Sequence, residues 1–234
     1  GGAIPFTNFH LAGAPGAGTL AVGNTANGIV PTDALAGYPA IAALAATGYL
    51  GKIDFASTVA CRLHLYDCLF SAGAYAFNAN TVLAAQPSYA GRVPGANYQG
   101  LQLWLEAVTA HTGSQSIQLN YLDQGGAAGD TGVVATGVAP ILGRMFRVPL
   151  AAGDTGVQQL TQVRSTVSSA GTFNVHIMRP LWTGRVVLAN AGDTHDYLKT
   201  GLKQIYADSA LRVVVQPDST VVGLPQLYAE VCDG

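Results

Sequence analysis

From about residue 57 onward the chain alternates. Cys61, Leu63, Leu65, Asp67 and Leu69 interleave with Arg62, His64, Tyr66, Cys68 and Phe70. A period of two places successive side chains on opposite faces of an extended strand, whereas a helix face repeats every 3.6 residues. Leu101, Leu103, Leu105 and Ala107 alternate in the same way with Gln102, Trp104, Glu106 and Val108. The turn-forming residues His111, Thr112, Gly113 and Ser114 follow. Ile117, Leu119 and Tyr121 then alternate with Gln118, Asn120 and Leu122, which predicts a β-hairpin. Further strands are expected over residues 143–149, 157–168, 172–180, 185–189, 211–216 and 227–232. No βα alternation points to a parallel sheet. The pattern predicts an all-β chain: an antiparallel β-sandwich, jelly-roll-like, formed as a single domain by residues 52–234.

Residues 1–51 are different in kind. They carry one formal charge, Asp33, and are rich in Gly, Ala, Pro and Thr. They read as an extended N-terminal arm. Thr32 or Asp33 could cap a short helix within residues 32–46, with Pro39 limiting its length. Ordering about 50 residues costs on the order of 50–100 kcal/mol. Offsetting the lower figure needs roughly 2,000 Å² of apolar burial. The β body or neighbouring chains must therefore hold the arm. The expectation is that deleting residues 1–51 harms assembly more than folding.

Charge is scarce throughout. Only 10% of the 234 residues are charged, with three lysines and two glutamates, Glu106 and Glu230. Ordinary soluble domains carry about 25%, so much of this surface is expected to be covered by other protein. The best membrane-spanning candidate, residues 34–50, is interrupted by Gly37, Pro39 and Gly48. No membrane partner is therefore expected. The net charge is −2 without a basic cluster, which argues against direct nucleic-acid binding. The first ten residues lack the basic and apolar regions of an intact signal peptide, which predicts synthesis in a cytoplasm.

Chemical signatures are thin. Cys61, Cys68 and Cys232 include no C-x-x-C pair; seven residues apart in a strand, Cys61 and Cys68 face opposite ways. Buried free thiols are the plain reading. The tetrapeptide AGDT recurs at residues 128–131, 152–155 and 191–194. Each copy offers one carboxylate, so an Asx-type turn is favoured over calcium binding. His64 and His176 read as half-buried wall residues, and His195 beside Asp196 as neighbours that diverge. No catalytic residue, metal or cofactor is assigned. A glycosidase pair of Glu106 and Glu230 is the weakest of the functional readings.

The C-terminal part resembles structural proteins of tailed bacteriophage virions. The residues that carry this are Met178-Arg179-Pro180-Leu181-Trp182, then Asp208-Ser209-Ala210-Leu211 leading into a strand, then Pro217-Asp218-Ser219-Thr220 and the last strand to Cys232. The likeness is to capsid decoration or cement proteins. It implies a non-enzymatic virion component that binds across capsomer joints, with the major capsid protein as partner. It also implies self-association, most simply as a homo-trimer. Candidate interface residues are the aromatics Phe6, Phe9, Tyr38 and Tyr49, together with Arg179, Trp182 and Arg185, since Trp and Arg are favoured anchors. The alternative is a receptor- or glycan-binding tail or neck component using Trp104, Trp182, Tyr98, Tyr121 and Tyr197.

Overall fold

The computed structural model describes residues 4–41, 44, 47–136, 140–165, 171–221 and 223–234. The chain is an antiparallel all-β sandwich, as the alternation predicts. A seven-stranded sheet forms its middle. Its path runs β1 (Phe6–Thr7), β15 (Leu211–Pro217), β4 (Cys61–Ala76), β12 (Thr172–Val186), β6 (Gln102–Ala107) and β10 (Met145–Val148); β2 (Asn24–Ile29) pairs with β4 off this path. A second sheet contains β5 (Asn80–Val82), β11 (Val157–Ser165), β7 (Ser116–Asp123), β8 (Ala128–Asp130) and β9 (Val134–Ala135). A third contains β13 (Ala191–His195), β3 (Thr47–Ser57), β14 (Gln204–Tyr206) and β16 (Pro225–Asp233).

The middle sheet curls until its two ends touch. Thr7 N donates to Gly143 O at 2.9 Å, and Met145 N donates to Pro5 O at 2.8 Å. The N-terminal strand thereby joins β15 to the segment entering β10. Five strands contribute to one enclosed cluster: Tyr66, Cys68, Trp104, Met145, Met178 and Val214, closed by Tyr38 and Phe9. This cluster marks the concave face. On the convex face, Leu103, Leu105, Val175 and Ile177 pack against Ile117, Leu119, Tyr121 and Leu160 of the second sheet. Leu63, Leu65, Trp182 and Val215 pack against Leu50, Ile53 and Phe55 of the third. The 16-residue β4 and 15-residue β12 are long enough to serve both cores.

Several local expectations change. The run from 101 to 122 is not a hairpin. β6 pairs with β10 and β12, while β7 pairs with β8, β9 and β11. Their apolar faces meet across the core instead of lying side by side in one sheet. β12 continues through Pro180, which sits where β4 is its one ladder partner and where the register slips before Trp182. A proline is tolerated at such a bulge. The strand expected over 185–189 ends at Val186, and residues 166–168 of the strand expected over 157–168 lie outside the described residues. Two of the three AGDT words belong to strands β8 and β13, because their backbone pairs with β7 and β3 respectively. The Asx bond forms in one of them nonetheless: Asp130 accepts from Gly132 N, two residues on, whereas Asp193 accepts from the adjacent Thr194 N.

The arm lies along its own body. Residues 32–41 form turns rather than a helix, with Asp33 accepting from Ile41 N at 2.9 Å. Residues 42, 43, 45 and 46 of the expected helix lie outside the described residues. Residues 6–7 and 24–29 are strands of the middle sheet, and β3 begins at Thr47. Close approach is built in at Gly28, which has a φ of +69°. A Cβ there would come within 2.2 Å of the Phe70 ring.

Candidate functional site

Two places stand out: a buried polar centre beneath the arm, and an open groove beside β16. The polar centre depends on an irregularity in β4. Ile177 opposes Phe70, yet Met178 opposes Cys68, so Leu69 is an extra residue on β4. Such a bulge re-aims the side chains after it. Cys68 and Ser71 consequently reach the same histidine although three residues separate them. Ser71 Oγ lies 2.8 Å from His176 Nδ1, and Cys68 Sγ lies 3.9 Å from it. His176 Nε2 lies 3.0 Å from Glu106 Oε2, and Arg212 Nη2 donates to Glu106 Oε1 at 2.8 Å. Asn174 Nδ2 donates to Glu106 and, at 2.6 Å, to the Leu20 carbonyl of the arm. Phe9 lies over the Arg212 guanidinium at 4.3 Å.

His176 Nε2 lies between an acceptor, Glu106 Oε2 at 3.0 Å, and a donor, Arg212 Nη1 at 3.2 Å, so a proton on Nε2 serves Glu106 and a bare Nε2 serves Arg212. Burial opposes the His176 imidazolium, but the Cys68 and Glu106 contacts outweigh it and its pKa is raised. Burial likewise opposes the Glu106 carboxylate. The Arg212 charge, with hydrogen bonds from His176 and Asn174, overcomes this and brings its pKa down to about 2.

This centre should make stability depend on acid. Glu106 has its folded pKa below the ordinary value of 4.5. Its contribution is full above that value and is lost as the pH falls toward 2. At about 1.4 kcal/mol per pH unit of separation, the contribution is about 3 kcal/mol. His176 acts oppositely: its contribution is full below 6.5 and is lost as the pH rises through its raised value. Urea midpoints measured from pH 2 to 8 should fall steeply between pH 4.5 and 2. In Glu106→Gln they should be lower at neutral pH and flatter in that window. A wild-type profile unchanged from pH 5 to 2.5 would refute the assignment.

Ser71, His176 and Glu106 have the connectivity of an acyl-transfer triad. All three are buried, however, and the backbone of Ser71 is engaged by β2 and β12. The adjoining cavity holds about 170 Å³ and is walled mostly by arm residues such as Leu20, Val22 and Pro31. Ser71, His176, Glu106 and Arg212 themselves line that cavity, and in this conformation the centre fastens the arm.

A second buried hub stands beside it. Asp67 accepts from Arg92, from Ala210 N at 3.1 Å, from Arg179 at 3.1 Å and from Ser209 Oγ at 2.9 Å. Arg92 also donates to the arm carbonyl of Pro31, and Arg179 to Gln204 O.

The groove is of another character. It has a volume of about 960 Å³ and lies between β16, β15, the arm residues near Thr7 and Phe9, and the turn at Gly37. Its partly exposed apolar lining is Val213, Leu227, Ala229 and Val231, with Leu63, Leu65 and Val215 buried behind them. The outer face of the same sheet is polar: Lys52 bridges Asp54 at 2.8 Å and Glu230 at 3.7 Å.

The sequence-derived interface residues divide. Phe6, Phe9 and Tyr38 pack inside, Arg179 belongs to the Asp67 hub, and Trp182 donates to His195 Nδ1 within the core. Tyr49 is 37% exposed, and Arg185 pairs with Asp218 at the surface. Trp104 is also buried, so the two tryptophans form no exposed platform. His176 is fully buried rather than half-buried, and Cys232 is exposed rather than buried. His195 and Asp196 diverge as expected: Asp196 caps the short helix α1 (Tyr197–Thr200). Glu106 and Glu230 lie on different sheets, one enclosed and one at the surface. Among the described residues no three His, Cys, Asp or Glu side chains cluster as a metal site would require. Among them, too, no helix is long and apolar enough to cross a membrane.

Compared with protein-family models, with curated proteins and with solved structures, the chain matches none.

Proposed function

We propose that the chain is a non-enzymatic assembly protein of a virion, of the capsid decoration or cement type. It adds buried area across joints between capsid subunits, with the major capsid protein and further copies of itself, as a trimer, for partners. The observation that carries this reading is the groove: an apolar channel open between two sheets, on a chain whose acid–base side chains are consumed in holding its own arm. Charge poverty over the whole chain supports it, since few charges need to be desolvated when partners meet. Of the residues named for the glycan-binding alternative, Tyr197 is exposed and Tyr98 partly so, whereas both tryptophans and Tyr121 are buried.

Gradient sedimentation of particles from the native source tests the proposal. An antibody to the purified chain should find it in the particle fraction, and low-resolution imaging should place it over subunit joints. Recovery only as free protein would overturn the proposal.

A further inference from the structure

The groove runs along the edges of two strands. Residues 225–232 of β16 all line it, both the inward-facing and the outward-facing sets. Consecutive residues of a strand can line one channel only if the channel follows the strand's edge. Among the described residues β16 pairs on one side alone, with β3. The opposite bank is similar. β15 pairs with β1 only at Val214 and Val215, and its neighbouring residues Leu211, Arg212 and Val213 also line the groove. The chain leaves this edge at Asn8 and so creates the gap.

The charges along the groove are already satisfied. Arg212 pairs with Glu106 at 2.8 Å and is covered by Phe9. Glu230 pairs with Lys52. A charged occupant would lose its hydration without gaining a counter-ion, which is costly. A helix would leave the free backbone groups of β16 unmatched, whereas an extended backbone matches them.

We propose that the groove takes an extended, uncharged peptide strand from a partner protein, which adds to the free edge of β16. Every second side chain of that strand packs on the partly exposed Val213, Leu227, Ala229 and Val231, and the others face outward. Strand addition of this kind draws affinity from main-chain hydrogen bonds and specificity from alternate side chains. The eight groove-lining residues of β16, 225–232, rise about 27 Å, enough to align an octapeptide. The inference rests on the assembly reading and names the chemistry of its partner.

The probe is a capped, fluorescein-labelled octapeptide of alternating Ser and Val, titrated into the full chain and followed by anisotropy. Two relatives accompany it, one with every second amide N-methylated and one with each Val replaced by Asp. Saturable binding is expected, with amide-exchange protection confined to β16. Both relatives, and the variant Ala229→Lys, should bind about tenfold more weakly or worse, a difference of about 1.4 kcal/mol. Val82→Lys, exposed on β5 of the second sheet and outside the groove, should change binding less than about twofold. If Ala229→Lys fails to fold, the N-methylated peptide on the wild-type chain carries the comparison. Absence of binding, or equal binding of the N-methylated peptide, overturns the proposal. So does protection of β16 that grows with protein concentration alone, which would assign the groove to a second copy. Failure here with the chain still found on particles leaves the assembly reading standing. Peptide binding by a chain never found on particles overturns that reading and keeps the groove.

Discussion

A chain beginning at residue 52 is expected not to fold cooperatively. The deletion removes β1 and β2, and with them the two backbone bonds that join the ends of the middle sheet. It shortens β3 at the end that pairs with β14. It strips Phe9, Leu20 and Tyr38 from the concave face, each worth about 1.5–3 kcal/mol of burial. It also removes the carbonyl partners of Arg92 and Asn174, at Pro31 and Leu20. Glu106, His176 and Arg212 would then lie in a half-open cavity with part of their enclosure gone. Together these losses rival the roughly 5–15 kcal/mol of net stability that an ordinary domain possesses. Near-UV circular dichroism should show no fixed tertiary signal, and urea unfolding should lack a sharp midpoint. A soluble 52–234 fragment with the wild-type midpoint would show that the arm is dispensable. This outcome differs from the one composition suggests, in which the deletion harms assembly more than folding.

The contrast shows what the sequence carries. Alternation is a local signal, and it located β4, β6, β7, β11, β15 and β16 within a few residues, because each strand buries at least one face. Pairing is a non-local property. Leu101 to Tyr121 reads as a hairpin because two alternating runs flank a turn, yet the same pattern suits two strands facing each other across a core. The same limit applies to the arm. Gly, Ala and Thr carry little periodicity, so β1 and β2 leave almost no trace, although Gly28 is required where the backbone crosses Phe70. The buried polar hubs did leave a trace. Asp67 sits on the parity of Leu63, Leu65 and Leu69, and Glu106 between Leu105 and Ala107. In a chain with so few charges, a carboxylate set into an apolar run marks an internal ion pair. Its partners, Arg92, Arg179 and Arg212, come from distant strands and turns and could not be matched from spacing.

Asp67→Asn is expected to be the most damaging single substitution. Asp67 is fully buried and neutralises two buried guanidinium groups, those of Arg92 and Arg179. An amide has the same shape but no charge, and its NH₂ group would face a donor on at least one side. Both cations would remain in the interior without a counter-ion. Removing one partner of a buried ion pair costs about 3–5 kcal/mol. For a chain of this size that corresponds to a fall in Tm of roughly 10 °C or more. The surface pair of Arg185 and Asp218 gives the internal control, because Arg185→Ala should cost no more than about 1 kcal/mol. Calorimetry of the two variants beside wild type checks the ranking. Combining Asp67→Asn with Arg179→Met should cost less than the two single losses added, since one cation no longer needs its partner. Strict additivity would mean that Asp67 and Arg179 do not act as a unit. A Tm for Asp67→Asn within a few degrees of wild type would mean that water, and not the carboxylate, carries the charge of this hub.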